Sequence, residues 1–327
     1  MHQLFLCLLA AGAFGSVRAQ VSPGYQNLVA QAYAAYEAKD YAASARSYSA
    51  AFESNGWRGT QNDRYNAACS WALAGGADSA FFNLDRIAQL MDYANVSHIT
   101  ADTDLNSLHT DARWNPLIAV VQANKDRLEA NFDKPLVALL DSIFDEDQTL
   151  RRAIGDVEAK YGNDSKEMQE HWRLIIEKDS LNLIQVTRIL DERGWLGADV
   201  VGGKGNQTLF LVIQHSDQVT QEKYLPMMRE AVKNGKAQGS SLALLEDRVA
   251  LGQGKRQTYG SQIGDDPGTG RLCVLPLDDP GHVDERRAGV GLGTLAEYVK
   301  IWDMTWDAEA YLRELPALEE RIKAQRP

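Results

Sequence analysis

Apolar residues recur every three or four positions along most of the chain, and this period predicts helices. In the N-terminal third, Ala and aromatic residues recur at this spacing. Two further apolar stripes predict long helices: Leu136, Leu139, Leu140, Ile143, Leu150 and Ile154, then Trp172, Ile175, Ile176, Val186, Ile189 and Leu190. Gly194 follows the second stripe and predicts the end of its helix.

The rest of the chain adds shorter elements. Further helices are predicted from Leu209 onward and over Lys223–Lys233, Ser241–Leu251, Gly293–Trp302 and Glu309–Ala324. Residues 254–277 instead alternate in short segments around a Gly/Asp/Pro turn, a pattern typical of a β-hairpin. The predicted fold class is therefore mainly α: helical hairpins followed by an α-rich domain with a small β-hairpin.

Length and charge narrow the range of partners. The chain has 327 residues, which favours two domains over one. Its net charge of -11 and pI near 5.1 argue against nucleic acid or an anionic membrane as a partner. No internal apolar run approaches the length of a transmembrane helix.

The first residues are typical of a secretory signal. An apolar run covers Leu4–Phe14, and Val17 and Ala19 supply small residues at the cleavage positions. We expect residues 1–19 to be a signal peptide cleaved after Ala19. The mature protein is then secreted or periplasmic.

An internal repeat appears in the N-terminal third. Ala32–Phe52 aligns with Ala68–Ala88 at a period of about 36 residues, close to that of a helix–turn–helix repeat. The two segments resemble tetratricopeptide repeats, although Gln31 and Ser44 depart from that pattern. Asp102–Ile118 resembles the terminating element that follows such repeats.

This resemblance implies a helical repeat domain over residues 20–121. Two interpretations stay open: the helices serve only as a packing scaffold, or they bind a protein partner. An exposed patch of Tyr33, Tyr36 and Tyr48 would indicate the second interpretation, although we expect Tyr48 to lie in the core.

Polar residues interrupt the apolar faces of the C-terminal half. These residues continue the stripes at offsets of three or four positions: Asp147, Arg151, Asp179, Asn182, Gln214, His215, Asp247 and Arg248. Each unpaired buried polar group costs about 1–3 kcal/mol, so we expect the groups to form one network. A structural ion-pair network is one interpretation, and a ligand-binding or catalytic site is the one we favour.

Specific chemistry follows from the residue types. His215 can act as general base or acid, oriented by Asp247 or Asp147, and we take His215 and Asp247 as the candidate catalytic pair. Arg151, Arg248 or Arg287 can hold an anion. If residues 257–262 form a strand, Gln257 and Tyr259 share one face while Gln262 points the other way.

The C-terminal half also resembles a known type of domain. The matching elements run in this order: Asp147-Gln148 with Arg151, Gly194-Trp195, Gln214-His215, Asp247-Arg248-Val249, Gly254 with Gln257, Tyr259-Gly260-Ser261-Gln262, and Arg287 with Gly291. They resemble a bacterial domain of unknown function, often exported and sometimes preceded by tetratricopeptide-like helices. Leu196 and Ser261 depart from the usual Pro and Thr.

This resemblance covers residues 134–302 and leaves 303–327 as a C-terminal helix. Together with the interrupted stripes it gives the candidate ligand-binding residues: Asp147, Gln148, Arg151, Asp179, Asn182, Trp195, Gln214, Arg248, Gln257, Tyr259, Gln262 and Arg287. The domain type has no assigned reaction, so the resemblance locates a site without naming its chemistry.

Familiar cofactor and metal motifs are absent from the sequence. It contains no HExxH, CxxC, GxxxxGK[ST] or GxSxG, and we expect no cofactor and no His/Cys metal site. A carboxylate-rich Ca²⁺ or Mg²⁺ site stays open, although Asp145–Gln148 lacks EF-hand spacing.

Three functions compete on this basis. The first is binding of a small polar or anionic ligand in a buried site of the C-terminal domain. The second is an enzyme, a hydrolase or isomerase, in which His215 and a carboxylate transfer protons. The third is a protein–protein adaptor that acts through the helical repeats.

Overall fold

The computed structural model describes residues 23–325 of the chain, and the predicted signal segment 1–19 lies outside this range. Within it, residues 23–131 and 132–325 form two compact units. Both are built mainly from helices, and one two-stranded antiparallel sheet accompanies them in the described residues. The predicted fold class, mainly α with a small β-hairpin, is confirmed.

The N-terminal unit consists of helices joined by short turns. Its elements are α1 (Pro23–Glu37), α2 (Tyr41–Ser54), α3 (Gln61–Leu73), α4 (Ala77–Leu90), α5 (Val96–Ala101), a 3-10 helix (Thr103–Leu108) and α6 (Trp114–Leu128). Asp40 and Thr60 cap α2 and α3 by accepting backbone N–H groups. α1 packs on α2, α2 on α3, and α3 on α4, which agrees with helical hairpins.

The three tyrosines proposed as an exposed patch do not form one. Tyr48 is buried, as expected, at 2% exposure, while Tyr33 is exposed. The Tyr36 hydroxyl donates to Asp104 at 2.5 Å. Of the three tyrosines whose exposure would have indicated an adaptor surface, only Tyr33 is exposed.

The C-terminal unit is larger and contains the hairpin. Its elements are α7 (Lys134–Arg152), α8 (Ile154–Tyr161), α9 (Lys166–Arg193), α10 (Ala198–Gln214), α11 (Gln218–Lys233), α12 (Gly239–Gly252), β1 (Ile263–Asp265), β2 (Leu272–Val274), a 3-10 helix (Pro280–His282), α13 (Val283–Gly289), α14 (Leu295–Val299), a 3-10 helix (Lys300–Trp302) and α15 (Ala308–Gln325). Its main core joins α7, α9, α10, α11 and α12.

The two long predicted helices exist, with narrower buried faces than the stripes suggested. Leu140 and Ile143 of α7 are buried, whereas Leu139 is 38% exposed and Ile176 of α9 is 48% exposed. α9 ends at Arg193, and Gly194 adopts φ 69°, a conformation that favours glycine.

The predicted start of the next helix at Leu209 is wrong. α10 begins at Ala198, and the run 209–213 forms its buried C-terminal half. Its first half contains several glycines, which are poor helix formers, and Gly202 breaks the helical geometry with φ 70°. This composition concealed the first turns of the helix.

The hairpin is shorter than the alternating segment. β1 pairs antiparallel with β2, with Ile263 opposite Val274, while residues 258–262 form a loop. The strand register considered for Gln257 and Tyr259 therefore does not apply. No helix among residues 23–325 is long and apolar enough to cross a bilayer.

Candidate functional site

Asp147 is a carboxylate on the buried face of α7. Asp133 caps this helix by accepting the N–H of Leu136, and Leu140 and Ile143 then face the core. The next step of four residues carries Asp147 into the same interior, where it is 1% exposed. The interrupted stripe thus correctly predicted a buried carboxylate.

Three side chains hold Asp147. His215 Nδ1 lies 2.9 Å from Oδ1, and Arg151 Nη1 donates to the same oxygen at 3.0 Å. Gln148 Nε2 donates to Oδ2 at 2.6 Å. Because a carboxylate only accepts hydrogen bonds, Nδ1 carries the imidazole proton and Nε2 points away from Asp147.

Arg151 joins α7 to α9. Its Nη2 donates to Asp179 Oδ2 at 2.7 Å, while its Nη1 bonds Asp147. The planar guanidinium therefore bridges two carboxylates on neighbouring helices. Together with Asn182, Gln214 and His215, we call these residues the His215 cluster.

His215 is fixed where α10 ends. It forms the C-cap of the helix, and its side chain is 8% exposed. The carbonyl of Gln214 accepts from Gln221 Nε2 and Arg248 Nη1, and Gln221 also donates to the Ser216 carbonyl. These bonds secure the backbone on both sides of the imidazole.

The environment favours the neutral form of His215 and the ionised form of Asp147. Burial lowers the pKa of His215, with Arg151 and Arg248 acting in the same direction and the Asp147 carboxylate opposing them. Burial disfavours the charged form of Asp147, yet its hydrogen bond to His215 and the charge of Arg151 hold its pKa below the ordinary value. These directions favour a carboxylate beside a neutral imidazole at neutral pH.

Several polar atoms of the cluster have no partner among residues 23–325. They are Asp179 Oδ1, both side-chain polar atoms of Asn182 and both of Gln214. Asn182 and Gln214 are each 0% exposed. Asn182 lies three residues after Asp179 on α9, so the two share a face. Each such atom costs about 1–3 kcal/mol unless water or a ligand meets it.

The cluster also has the spacing of a metal site. Asp147, Asp179 and His215 each place a ligand atom within 4.8 Å of the others. Arg151, however, already bonds both carboxylates. A divalent ion would have to displace this guanidinium or tolerate its charge, so the arrangement favours Arg151 as the resident cation.

Asp247 belongs to a different arrangement. Its carboxylate accepts the backbone N–H groups of Thr258, Tyr259 and Ser261 at 2.6–3.2 Å. Burial raises its pKa, and these N–H groups oppose the rise. Its hydrogen bonds therefore hold residues 258–261, and the carboxylate on His215 is Asp147. We call Asp247 with residues 257–262 the Asp247 loop.

Gln257 and Gln262 close this loop. Gln257 Oε1 accepts the Gln262 N–H, and its Nε2 donates to the carbonyls of Gln262 and Leu275. Gln262 Nε2 donates to Ser261 Oγ at 2.9 Å. Both glutamines are at most 2% exposed. The side chains of both glutamines thus serve as hydrogen-bond partners where a backbone partner would otherwise be needed.

The remaining arginines bind acceptors within the chain. Arg248 Nε donates to Gln262 Oε1, and its Nη1 bonds the Gln214 carbonyl. Arg287 is 2% exposed and donates to the carbonyls of Tyr259 and Gly293. Arg248 thus connects the Asp247 loop to the His215 cluster, and the one network expected from sequence consists of two linked parts.

Trp195 and two surface clefts take no part in the hydrogen bonds described above. Trp195 follows the end of α9, is 5% exposed, and its Nε1 has no partner in the described part of the chain. Surface clefts of about 310 and 380 Å³ are lined by other residues, such as Trp71 and His171, and contain no member of the His215 cluster.

Gln221 is a site residue that the sequence analysis missed. It is 4% exposed and secures the carbonyls before and after His215. It precedes Tyr224, Leu225 and Met228 at helical spacing on the buried face of α11. Gln221 interrupts this apolar face in the same way as Asp147 does on α7, but it lies before Lys223, where the helix was predicted to begin.

The fold and the cluster define a helical domain with a buried histidine–carboxylate site. Residues 134–310 match the model of a family of unknown function, DUF6624, and the chain belongs to this family. The match agrees with the resemblance seen over residues 134–302. No curated protein and no solved structure is detectably similar to the chain.

Proposed function

We propose that the C-terminal unit is an enzyme in which His215 transfers a proton to or from a small polar substrate. The observation that supports this proposal is the 2.9 Å contact between His215 Nδ1 and the buried carboxylate of Asp147. A carboxylate on Nδ1 fixes the tautomer and orientation of an imidazole, and Nε2 then carries the basic lone pair.

The charge states fit this role. His215 is neutral at neutral pH because burial lowers its pKa, so it can accept a proton. Asp147 stays ionised and stabilises the imidazolium that forms. Hydrolysis and isomerisation both use such a base, and both reaction classes fit.

An uncharged polar substrate suits this cluster better than an anionic one. Arg151 is occupied by two carboxylates, and Arg287 by two carbonyls. An incoming anion would approach Asp147 and Asp179 without an uncommitted guanidinium from either arginine. The ligand we propose therefore carries hydrogen-bonding groups and no net negative charge.

A substrate screen tests the proposal. The purified full chain is assayed on panels of esters, amides and isomerisable hydroxy-ketones at pH 7.5, alongside His215→Gln. His171→Gln is the matched control, because His171 bonds the Leu150 carbonyl outside the cluster. Activity lost in His215→Gln alone supports the proposal, and activity that survives in this variant contradicts it.

Binding without turnover is the second candidate. It is supported by the fully buried, unpaired amides of Asn182 and Gln214, which suit recognition whether or not a reaction follows. In that case ligands bind to the wild type and to His215→Gln with similar affinity, and neither protein changes them.

We further propose that the protein is exported and that residues 20–121 provide a tetratricopeptide-like scaffold. The apolar run before Ala19 supports export, and the repeat of about 36 residues supports the scaffold. N-terminal sequencing of protein secreted by an expressing bacterium tests export. A mature chain starting at Gln20 is expected, and retention of Met1 would contradict it.

A further inference from the structure

Two side-chain amides in the interior of the C-terminal unit offer hydrogen bonds that nothing else in residues 23–325 takes up. Asn182 on α9 and Gln214 at the end of α10 are each 0% exposed, and all four of their side-chain polar atoms lack partners. Asp179 Oδ1, one turn from Asn182, is also buried and unpaired. Asp179 shares Arg151 with Asp147, and Gln214 directly precedes His215 at the end of α10.

Other buried side-chain amides of the C-terminal unit do have hydrogen-bond partners. Asn206 Nδ2 donates to the carbonyls of Leu196 and Lys236, both at 2.7 Å. Gln257 bonds three backbone groups with its two polar atoms. Asn182 and Gln214 thus differ from neighbours of the same chemistry and similar burial, and the difference falls at the proposed site.

Resting on the function proposed for this cluster, we propose that Asn182 and Gln214 recognise an uncharged substrate through its carboxamide or peptide group. Each side-chain amide presents a donor beside an acceptor, and a carboxamide presents the complementary pair. Asp179 Oδ1 accepts an N–H from the same ligand. A carboxylate ligand supplies acceptors only and is repelled by Asp179.

The energetic signature of such a site can be measured without the natural ligand. Groups kept unpaired for a ligand destabilise the free protein, so an apolar side chain of similar shape should stabilise it. Asn182→Leu and Gln214→Met are therefore expected to raise the Tm of the full chain by about 2–4 °C each. Asn206→Leu, the matched control, loses two hydrogen bonds and lowers the Tm.

Binding of small probes tests the ligand class. Saturation-transfer NMR is recorded on the full chain with acetamide, acetate and methylammonium at equal concentration. We expect a signal from acetamide alone. Asn182→Leu and Gln214→Met should lose this signal, and Asn206→Leu should keep it at a temperature where this variant is folded. Equal signals from the three probes, or no signal from acetamide, overturn the assignment.

The stability measurement can also contradict the ligand assignment. If Asn182→Leu and Gln214→Met lower the Tm as Asn206→Leu does, the two amides are bonded to ordered water as part of the fold. A failure of the ligand assignment can be distinguished from a failure of the proton-transfer proposal. Acetamide binding that survives in His215→Gln, when that variant and the wild type both lack activity, keeps the ligand assignment and removes the enzyme.

Discussion

The His215 cluster and the Asp247 loop are both buried and polar, but they differ in how their polar atoms are satisfied. In the Asp247 loop, the side chains of Asp247, Gln257 and Gln262 have partners for every polar atom, and most of these partners are backbone groups. In the His215 cluster, five atoms of Asp179, Asn182 and Gln214 have none within residues 23–325.

We take this contrast to distinguish a structural arrangement, the Asp247 loop, from the proposed site, the His215 cluster. A loop without regular structure must bond its buried N–H and C=O groups, and Asp247 and the two glutamines do this for residues 257–262. The His215 cluster leaves unpaired atoms at a cost in stability, which is common where a site awaits a ligand. Both parts lie within the family match, so membership alone does not separate them.

The largest expected effect is on catalysis. His215→Gln removes the proton acceptor while keeping a donor for Asp147, so we expect activity to fall by roughly 10²–10⁴-fold. Stability should change by less than about 1 kcal/mol, because no buried charge is left unpaired. Rate assays and urea unfolding of the same preparation measure both. A loss of stability comparable to that from an Asp247 variant would break the distinction between the regions.

In the Asp247 loop, Asp247→Ala should act on stability instead. It leaves the N–H groups of Thr258, Tyr259 and Ser261 without this acceptor, and we expect a loss of about 3 kcal/mol. Urea unfolding measures the change, with Asp78→Ala as control because the Asp78 side chain is 96% exposed. A loss below about 1 kcal/mol would show that the loop does not depend on this carboxylate.

Gln257→Leu allows a bonded side-chain amide of the Asp247 loop to be compared with the unpaired amide of Asn182 in the His215 cluster. It removes three hydrogen bonds to buried backbone groups, so we expect a loss of about 2 kcal/mol. The equivalent change at Asn182 is expected to stabilise the chain. Two amide-to-Leu substitutions in one domain should therefore have opposite signs in urea unfolding, and equal signs would remove the contrast.

The smallest expected effect is a dependence of stability on pH. The folded-state pKa of His215 lies below the ordinary value of 6.5, so the unfolded chain binds more protons between those two values. Stability should therefore fall as the pH drops below 6.5, by at most about 1.4 kcal/mol per pH unit. Urea midpoints from pH 5 to 8 should show a weaker fall in His215→Gln.

His282 provides the control for this profile. Its pKa is raised by the neighbouring Asp279, so its contribution is lost as the pH rises above 6.5. His282→Gln should alter the profile only on that side. If both variants change the profile above 6.5, the environment assigned to His215 is wrong.

Much of the site could be predicted from sequence because helical periodicity reports which face is buried. The interruptions at Asp147, Asp179, Asn182 and Gln214 mark residues that the structure does bury or partly bury. Periodicity does not report partners across helices. The choice between Asp147 and Asp247 for His215 therefore required the packing of α7 against α10.

The Asp247 loop could not be predicted in detail for a related reason. The alternation of Gln257, Tyr259 and Ser261 is compatible with a strand, but a buried carboxylate holds the backbone N–H groups of this segment. Such a long-range side chain–backbone contact has no local signature. The same holds for the first half of α10, whose glycines carry no helical signal.

The most direct test of the central claim is the protonation state of His215. Two-bond ¹H–¹⁵N NMR of the full chain, assigned by comparison with His215→Gln, reports which ring nitrogen carries the proton. We predict a neutral ring at pH 7, protonated on Nδ1, with a pKa below 6.5. A ring that is charged at pH 7, or neutral with its proton on Nε2, would contradict the role proposed for His215 and Asp147.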